Sequence, residues 1–579
     1  MKTRNPLLLV VCLTVLGLVL ASCAPAAAPT PTPKPAPAPE KPAPAATKPA
    51  AQPTTPAAAP KPAAPTPKPA APSPTPKPSA EQPRSGGILD TTLNSDMPSF
   101  DVQQETGLLT HSTVQSCYNG LLQFQPSEPD KVISDLAEKW EASSDGTVYT
   151  FHLHKGVKFH DGSTLTSEDA KFSLDRVYNP PKGIRSPRMG SVASIEKVEA
   201  PDENTVKITL KYPQSSIVSM LAVNQIAIYP KKVVEAKGDM KKTIVGSGPF
   251  MYKDYSLGTL FEVKKNPNYF IKGRPYLDGL RFYVIKDPST MLAAFRTGKV
   301  KLMDPTLPAG LRPAHARQIG EEMKQAVVVS YPSISARWLN MVVTKEPFTD
   351  VRVRRAVHLA VDRQAAVKVL LEGIGDIGTN FVPGSVWGLP EAERLKLPGF
   401  RQPKDADIAE AKKLLAEAGF PNGFKTKILA RTKYTDDMAV LMKEQLAKIG
   451  VELEIDVQES AVFLDWIYKH THAMVAQPIG VRLSDPDEFA RYFQAGGGQS
   501  QTELDDAEVN KLFDEQRRAQ DPAERLKIAR RLEMRLLEVA ASAPLYWAGS
   551  NIAHLPEVKD YYRGAPYCTN KYQDVWLAK

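Results

Sequence analysis

Residues 425–457 read KTKILARTKYTDDMAVLMKEQLAKIGVELEIDV, and the spacing of apolar residues changes twice along them. Residues 425–430 read as a short strand. In 436–449, Leu441, Met442, Gln445 and Ile449 recur at three and four, the spacing of one helical face, and Gly450 ends the run. In 451–457, Val451, Leu453, Ile455 and Val457 alternate with Glu452, Glu454 and Asp456, which predicts a strand with the four apolar side chains inward. Strand, helix, strand in this order favours a parallel pair joined by a right-handed crossover and places the body in the α/β class.

The same reading extends outward. Ile408, Ala411, Leu415 and Ala418 make one stripe of a helix over 405–418, closed by Gly419 and Pro421. Val206, Ile208 and Leu210 alternate as a half-buried strand, and 505–540 is helical and charge-rich with a break at Asp521-Pro522. There is no internal repeat.

Charge and proline are concentrated at the amino end. The chain has 579 residues, 52 of them proline, and a net charge of +9. Residues 24–84 hold 22 of those prolines and a net charge of +5, and residues 1–23 hold +2. The remaining body is therefore only +2, which excludes reading the basic pI as a nucleic-acid footprint. The tail repeats Ala-Pro, Thr-Pro and Lys-Pro with nothing large to bury, so it reads as a disordered polyproline-II spacer.

Lys2 and Arg4 precede an apolar run over 7–20, about 21 Å as a helix and short of a ~30 Å bilayer core, hence a secretory h-region. Leu20-Ala21-Ser22-Cys23 resembles the bacterial lipobox, which makes Cys23 the expected lipidated residue and 1–23 the signal. Cys117 and Cys568 remain in the body, and their spacing leaves open whether they pair. No Cys-x-x-Cys pair supports zinc. His152 and His154 fall on the strand face opposite Tyr149, Phe151 and Leu153, which reads as a solvent face, and His470 and His472 carry no stronger metal signal. No cofactor is expected.

An ordered set of motifs crosses the body. Phe159-His160-Asp161-Gly162 is followed by Leu165-Thr166-Ser167-Glu168-Asp169-Ala170, then Gly246-Ser247-Gly248-Pro249-Phe250, Asn266-Pro267-Asn268-Tyr269, Val351-Arg352-Val353-Arg354-Arg355-Ala356, Trp387-Gly388 and Asp485-Pro486-Asp487. Read physically, most of this is scaffold: Asp161-Gly162 as a hairpin turn, Gly246 to Phe250 as a tight turn, Ser167 as the start of an amphipathic helix. The set resembles the family 5 extracytoplasmic solute-binding proteins of ABC importers, over about 86–579. That resemblance implies a two-lobed periplasmic-binding-protein-like α/β fold of type II with an extra subdomain in lobe one. Lobe one would take 86–335 with 544–579 and lobe two 336–543, hinged on strands near 336–341 and 543–547. It further implies a monomer, held at the outer face of the cell membrane or in the periplasm, that closes on a small solute and hands it to permease subunits.

In peptide-binding members an Asp lies three residues before Asp-Pro-Asp and an aromatic residue three before that. Here those positions hold Arg482 and Ile479. An arginine repels an ammonium and holds a carboxylate or phosphate in a fork, so an acidic or hydroxyl-rich ligand is expected; a gap in the register would instead turn Arg482 to solvent. Trp338, Asn340, Trp387, Trp466 and Tyr492 are further candidate ligand contacts, each with core packing as the alternative. No nucleophile elbow, HExxH or phosphate loop is present. An exported surface hydrolase and a solute sensor for a signalling partner are the competing function classes.

Overall fold

The computed structural model describes residues 81–579 except 185, 304–310, 312, 433, 563–570 and 579. The expected signal with Cys23, almost all of the 24–84 tail, and Cys568 lie outside the described residues. Cys117 is a buried free thiol, pushed up to about 12 by burial.

The organising element is an eleven-stranded sheet. Its strands are β1 (Ile88–Leu93), β2 (Phe250–Ser256), β3 (Leu260–Lys265), β4 (Gly279–Val284), β5 (Leu302–Met303), β6 (Val327–Met341), β7 (Gly375–Asp376), β8 (Lys425–Arg431), β9 (Glu452–Gln458), β10 (Met474–Gly480) and β11 (Ser542–His554). In space the order is β9-β8-β10-β6-β11-β5-β1-β4-β3-β2, with β7 on β11. β8 and β9 pair in parallel, joined by the helix Asp436–Ala447, as the 425–457 pattern predicts. One detail of that pattern fails. β9 is the edge strand, so its far end loses cover: Val451 and Leu453 are buried, Ile455 is half-buried, and Val457 is 44% exposed.

β6 and β11 run antiparallel from Val327 opposite His554 to Asn340 opposite Ser542. Two large cores lie on one side of their midpoint. One gathers Tyr149, Phe151, Val206 and Ile208 of a four-stranded sheet (Ala137–Ala142, Val148–Leu153, Thr205–Leu210, Ile195–Asp202). The other joins Phe261, Leu280 and Phe282 to Ile552, Tyr572 and Val575. Two more cores lie beyond the midpoint, one around Leu339, Met341, Val357, Met442 and Leu545, the other around Trp338, Phe381, Phe489, Leu532 and Trp547.

One motif read from sequence has a different cause in the structure. Gly246 and Gly248 do not occupy the left-handed region; a Cβ there would lie 2.1 Å from Cys117 O and 2.4 Å from Cys117 C, so both are required by backbone contact rather than by turn geometry. The helix Ser167–Tyr178 begins at the residue the sequence marks, and Thr166 before it forms a capping box with Asp169. The break at Asp521-Pro522 is a new N-terminus: Asp521 accepts from Glu524 N–H at 2.8 Å and Pro522 takes the first helical position.

A buried ion pair ties this first half together. Asp101 accepts from Arg176 Nη2 (2.5 Å) and Nη1 (3.3 Å), Gln104 Nε2 (2.8 Å), Tyr229 Oη (3.2 Å) and Met240 N–H (3.3 Å). Burial pushes its carboxyl up, but Arg176 and the other donors outweigh that and hold it below the ordinary value. Arg176→Met should cost about 3–5 kcal/mol, because it strands a buried carboxylate. A depressed folded-state pKa stabilises at pH above the unfolded value and is lost as pH falls through the folded one. Urea unfolding should therefore show the wild-type advantage complete above about pH 5 and shrinking below about pH 4; an advantage constant down to pH 2 would reject the assignment.

Candidate functional site

The parallel strands β8, β9 and β10 end at Arg431, Gln458 and Gly480, and Gly480 pairs with Ser335 near the middle of β6. Their carboxyl ends therefore open at the junction between the two sets of cores. Loops following the carboxyl ends of an open α/β sheet are the usual place for a ligand.

The loop after β10 reaches across that junction. Leu483 is buried in the core that holds Phe151 and Ile208. Ser484 Oγ donates to Asp130 Oδ1 at 2.6 Å. Asp487 Oδ2 accepts from Ser216 Oγ (2.6 Å) and Gln214 Nε2 (3.1 Å), while its Oδ1 accepts from Arg517 Nε (2.8 Å) on its own side. Asp485 turns inward, capping Asp487 N–H and taking a fork from Arg525 (2.6 and 2.9 Å).

Glu488 is the electrostatic centre of the loop. It accepts from Arg482 N–H at 3.0 Å and lies 2.7 Å from Arg491 and 3.6 Å from Arg188, which comes from the opposite side. Glu488 and Arg188 are both 1% exposed. Burial pushes the Glu488 carboxyl up, but Arg491, Arg188 and Arg482 together hold it below its ordinary value. His111, also buried, accompanies them. Desolvation, with the charges of Arg482 and Arg188, lowers it to about 3, so it is neutral at physiological pH. Its Nε2 lies 3.0 Å from Glu105 O.

The candidate residues read from sequence fall in several places. Arg482 is half-buried, close enough to His111 and Glu488 to act on both charges. Tyr492 is beside it, with Oη donating to Gly480 O at 3.0 Å and the Arg491 guanidinium over its ring. Trp338 is fully buried, its ring 5.0 Å from Phe493 and 5.8 Å from Tyr492. Asn340 is occupied on both sides of its amide, donating to Gln501 Oε1 (3.1 Å) and accepting from Ser542 Oγ (2.6 Å). Trp387 lies under Arg525, 4.7 Å from its ring centroid. Trp466 packs on Leu429, Phe463, Ile467 and Val475, apart from the loop. Sequence reading missed His111, Arg188 and Glu488. The only signal for Glu488 was its place directly after Asp485-Pro486-Asp487. His152 meets Glu141 Oε1 at 3.7 Å. Among the described residues no cluster of His, Cys, Asp and Glu is arranged to hold a metal, and no helix is long and apolar enough to cross a membrane.

A model of the bacterial extracellular solute-binding proteins, family 5, matches residues 131–501. The chain belongs to that family. The glutathione-binding protein GsiB of Pectobacterium atrosepticum is 31% identical over 371 residues, 64% of this chain and 68% of GsiB. Among solved structures, the ABC transporter-associated periplasmic binding protein DppA of Helicobacter pylori, with the peptide STSA, superposes with a TM-score of 0.72 at 28% identity, covering 86% of this chain and 99% of DppA. AgaA of A. tumefaciens R10, with agropinic acid, gives 0.70 at 26% identity, covering 85% and 99%. This family 5 protein thus has the type II periplasmic-binding-protein fold, works outside the cytoplasm, and binds solute for transport rather than catalysing a reaction, which removes the hydrolase reading.

Glu488→Gln keeps the shape of the loop centre and removes the charge that three guanidinium groups face. Loss of one partner of a buried pair costs about 3 kcal/mol or more. Thermal melting should fall by several degrees (roughly 2–4 °C per kcal/mol for a large domain), and X-ray scattering should report a larger radius of gyration; unchanged values in both would show that the loop is held without Glu488.

Proposed function

We propose that the chain captures a small peptide-like solute bearing an acidic group between two lobes, 86–335 with 544–579 and 336–543, and delivers it to the permease of an ABC importer. The observation that carries the reading is the loop 481–488. Its backbone belongs to the second lobe, its side chains fasten to Asp130, Arg188, Gln214 and Ser216 of the first, and Arg482 stands beside those contacts. A clamp that is fastened across its mouth buries what it holds and presents a closed outline to a membrane partner.

The solute class follows from charge. Arg188 and Arg491 already face Glu488, so the reading rests on Arg482, whose charge would repel a peptide ammonium and attract a carboxylate. The names of the related proteins agree with this: glutathione and agropinic acid both carry carboxyl groups. The binding protein acts as a monomer, one chain per solute. Cys23 carries the lipid that holds it at the outer face of the membrane, and the Pro/Ala/Lys segment gives the clamp reach, at most about 190 Å for 61 residues at ~3.1 Å each.

Reduced glutathione, titrated calorimetrically into the full chain, should bind and raise the melting midpoint by mass action. Arg482→Ala should weaken it about tenfold or more, the worth of a charged hydrogen bond, with the unliganded midpoint unchanged; equal affinity in the variant would remove Arg482 from the solute. Separately, Cys23→Ser should move the protein from the membrane fraction to the soluble fraction, and a wild-type protein already soluble would end the anchoring assignment.

A further inference from the structure

The helix Pro522–Val539 grips one stretch of chain, 377–388, at three points. Glu533 accepts from Thr379 Oγ1 and, at 3.5 Å, from Phe381 N–H. Arg530, one turn earlier, donates through Nη2 to Val386 O at 3.3 Å. Arg525 lays its guanidinium 4.7 Å from the ring centroid of Trp387. The stretch is also fitted to β11: Trp547 Nε1 donates to Thr379 O at 3.2 Å, and a Cβ on Gly378 would come within 2.0 Å of the Trp547 ring. Two of the grips continue into the loop 481–488. The Phe381 ring lies 5.1 Å from that of Phe489, the neighbour of Glu488, and Arg525 is the fork that holds Asp485.

Glu533 is the unusual member. Its side chain is 0% exposed, and its Oε2 lies 3.5 Å from Arg530 Nη1, a partly exposed cation shared with Val386 O. A carboxylate so placed gives up its hydration for one distant, shared partner, which favours the neutral acid. The charged groups that act on it are Arg530 on its own helix and Arg394 of the helix Glu391–Arg394, itself drawn to Asp376 at 3.1 Å. Burial outweighs both, together with the Phe381 N–H, and pushes the carboxyl up to about 8. Its ionisation therefore falls just above neutral pH.

We propose that Glu533 is a proton-operated lock on 377–388: neutral, it seats the stretch and through it the loop 481–488, and ionised, it loosens both, so that solute is held less tightly at alkaline pH. A buried anion draws water or Arg530 toward itself. Either movement breaks a grip, the first at Thr379 and Phe381, the second at Val386. The effect on solute rests on the two-lobed reading above and adds a control to it.

Amide hydrogen exchange in the full chain, corrected for the intrinsic pH dependence of exchange, reads the lock without ligand. Protection of 377–388 and of 481–488 should fall together between about pH 7 and about pH 9 in the wild type, and Glu533→Gln, which stays neutral, should keep it. No such fall in the wild type, or the same fall in the variant, overturns the lock. A carboxyl raised in the folded state gives stability that is complete below its unfolded value and is lost as pH rises through the folded one. In urea the wild type should therefore lose ground to Glu533→Gln from about pH 5 to about pH 8 and stay level with respect to it above about pH 9. Should Glu533→Gln melt early at neutral pH, Arg530→Met carries the test. It removes the cation that favours the ionised form, so the exchange transition should move to higher pH, and a midpoint unmoved or lowered overturns the lock. Reduced glutathione then reads the solute, as the ratio of wild-type to Glu533→Gln affinity at each pH, which cancels the titration of glutathione itself. That ratio should fall about fivefold or more across the transition; a constant ratio with the exchange transition present overturns the coupling to solute. Failure of glutathione to bind either protein, with the joint exchange transition intact, would sink the solute class and leave the lock standing. Glutathione binding with a constant ratio and no exchange transition would sink the lock and leave the solute class standing.

Discussion

The pairing of β6 with β11 is the constraint on which the rest depends. Both strands pass through two sets of cores: β11 gives Ala543 and Leu545 to one side of the junction and Ile552 and Ala553 to the other. The ladder is not uniform. Its register shifts between Pro332 and Ala336 and again between Arg337 and Trp338, where the partner moves from Tyr546 to Pro544. Proline cannot donate to a ladder and is tolerated in a central strand only at such irregularities. Pro332 and Pro544 both sit at the edge of one. The shifts add local twist and remove hydrogen bonds at the level where β8 and β10 end. The weakest stretch of the longest pairing thus coincides with the level at which β8 and β10 end.

Around that junction the chain buries charge. In the loop after β10, every acid is committed: Asp485 to Arg525, Asp487 to Arg517 and to Ser216, Glu488 to Arg491 and Arg188. A buried ion pair adds little over apolar packing but is costly to break. Its value lies in position: the loop has one seating, and that seating brings Arg188 and His111 from one side against Arg482 from the other.

Much of the fold was legible because its signals are local. The 425–457 period, the stop at Gly450 and the break at Asp521-Pro522 each depend on residues within a turn or two of each other. What failed was tertiary. Val457 has the right alternation, but β9 is an edge strand and nothing covers its end. Gly248 looks like a turn residue, but its constraint is the backbone of Cys117, more than a hundred positions away. For the site, Arg482 stood out through a family comparison, and the structure places it beside Glu488 and His111. Trp338 and Asn340 were chosen for lying on β6, yet alternation sends their side chains into the Phe489–Phe493 core and the Gln501–Ser542 amide network. The same alternation sends their neighbour Arg337 to the other face. Sequence marked the strand correctly and could not decide its sides, because a strand covered on both faces offers no polar face as a guide.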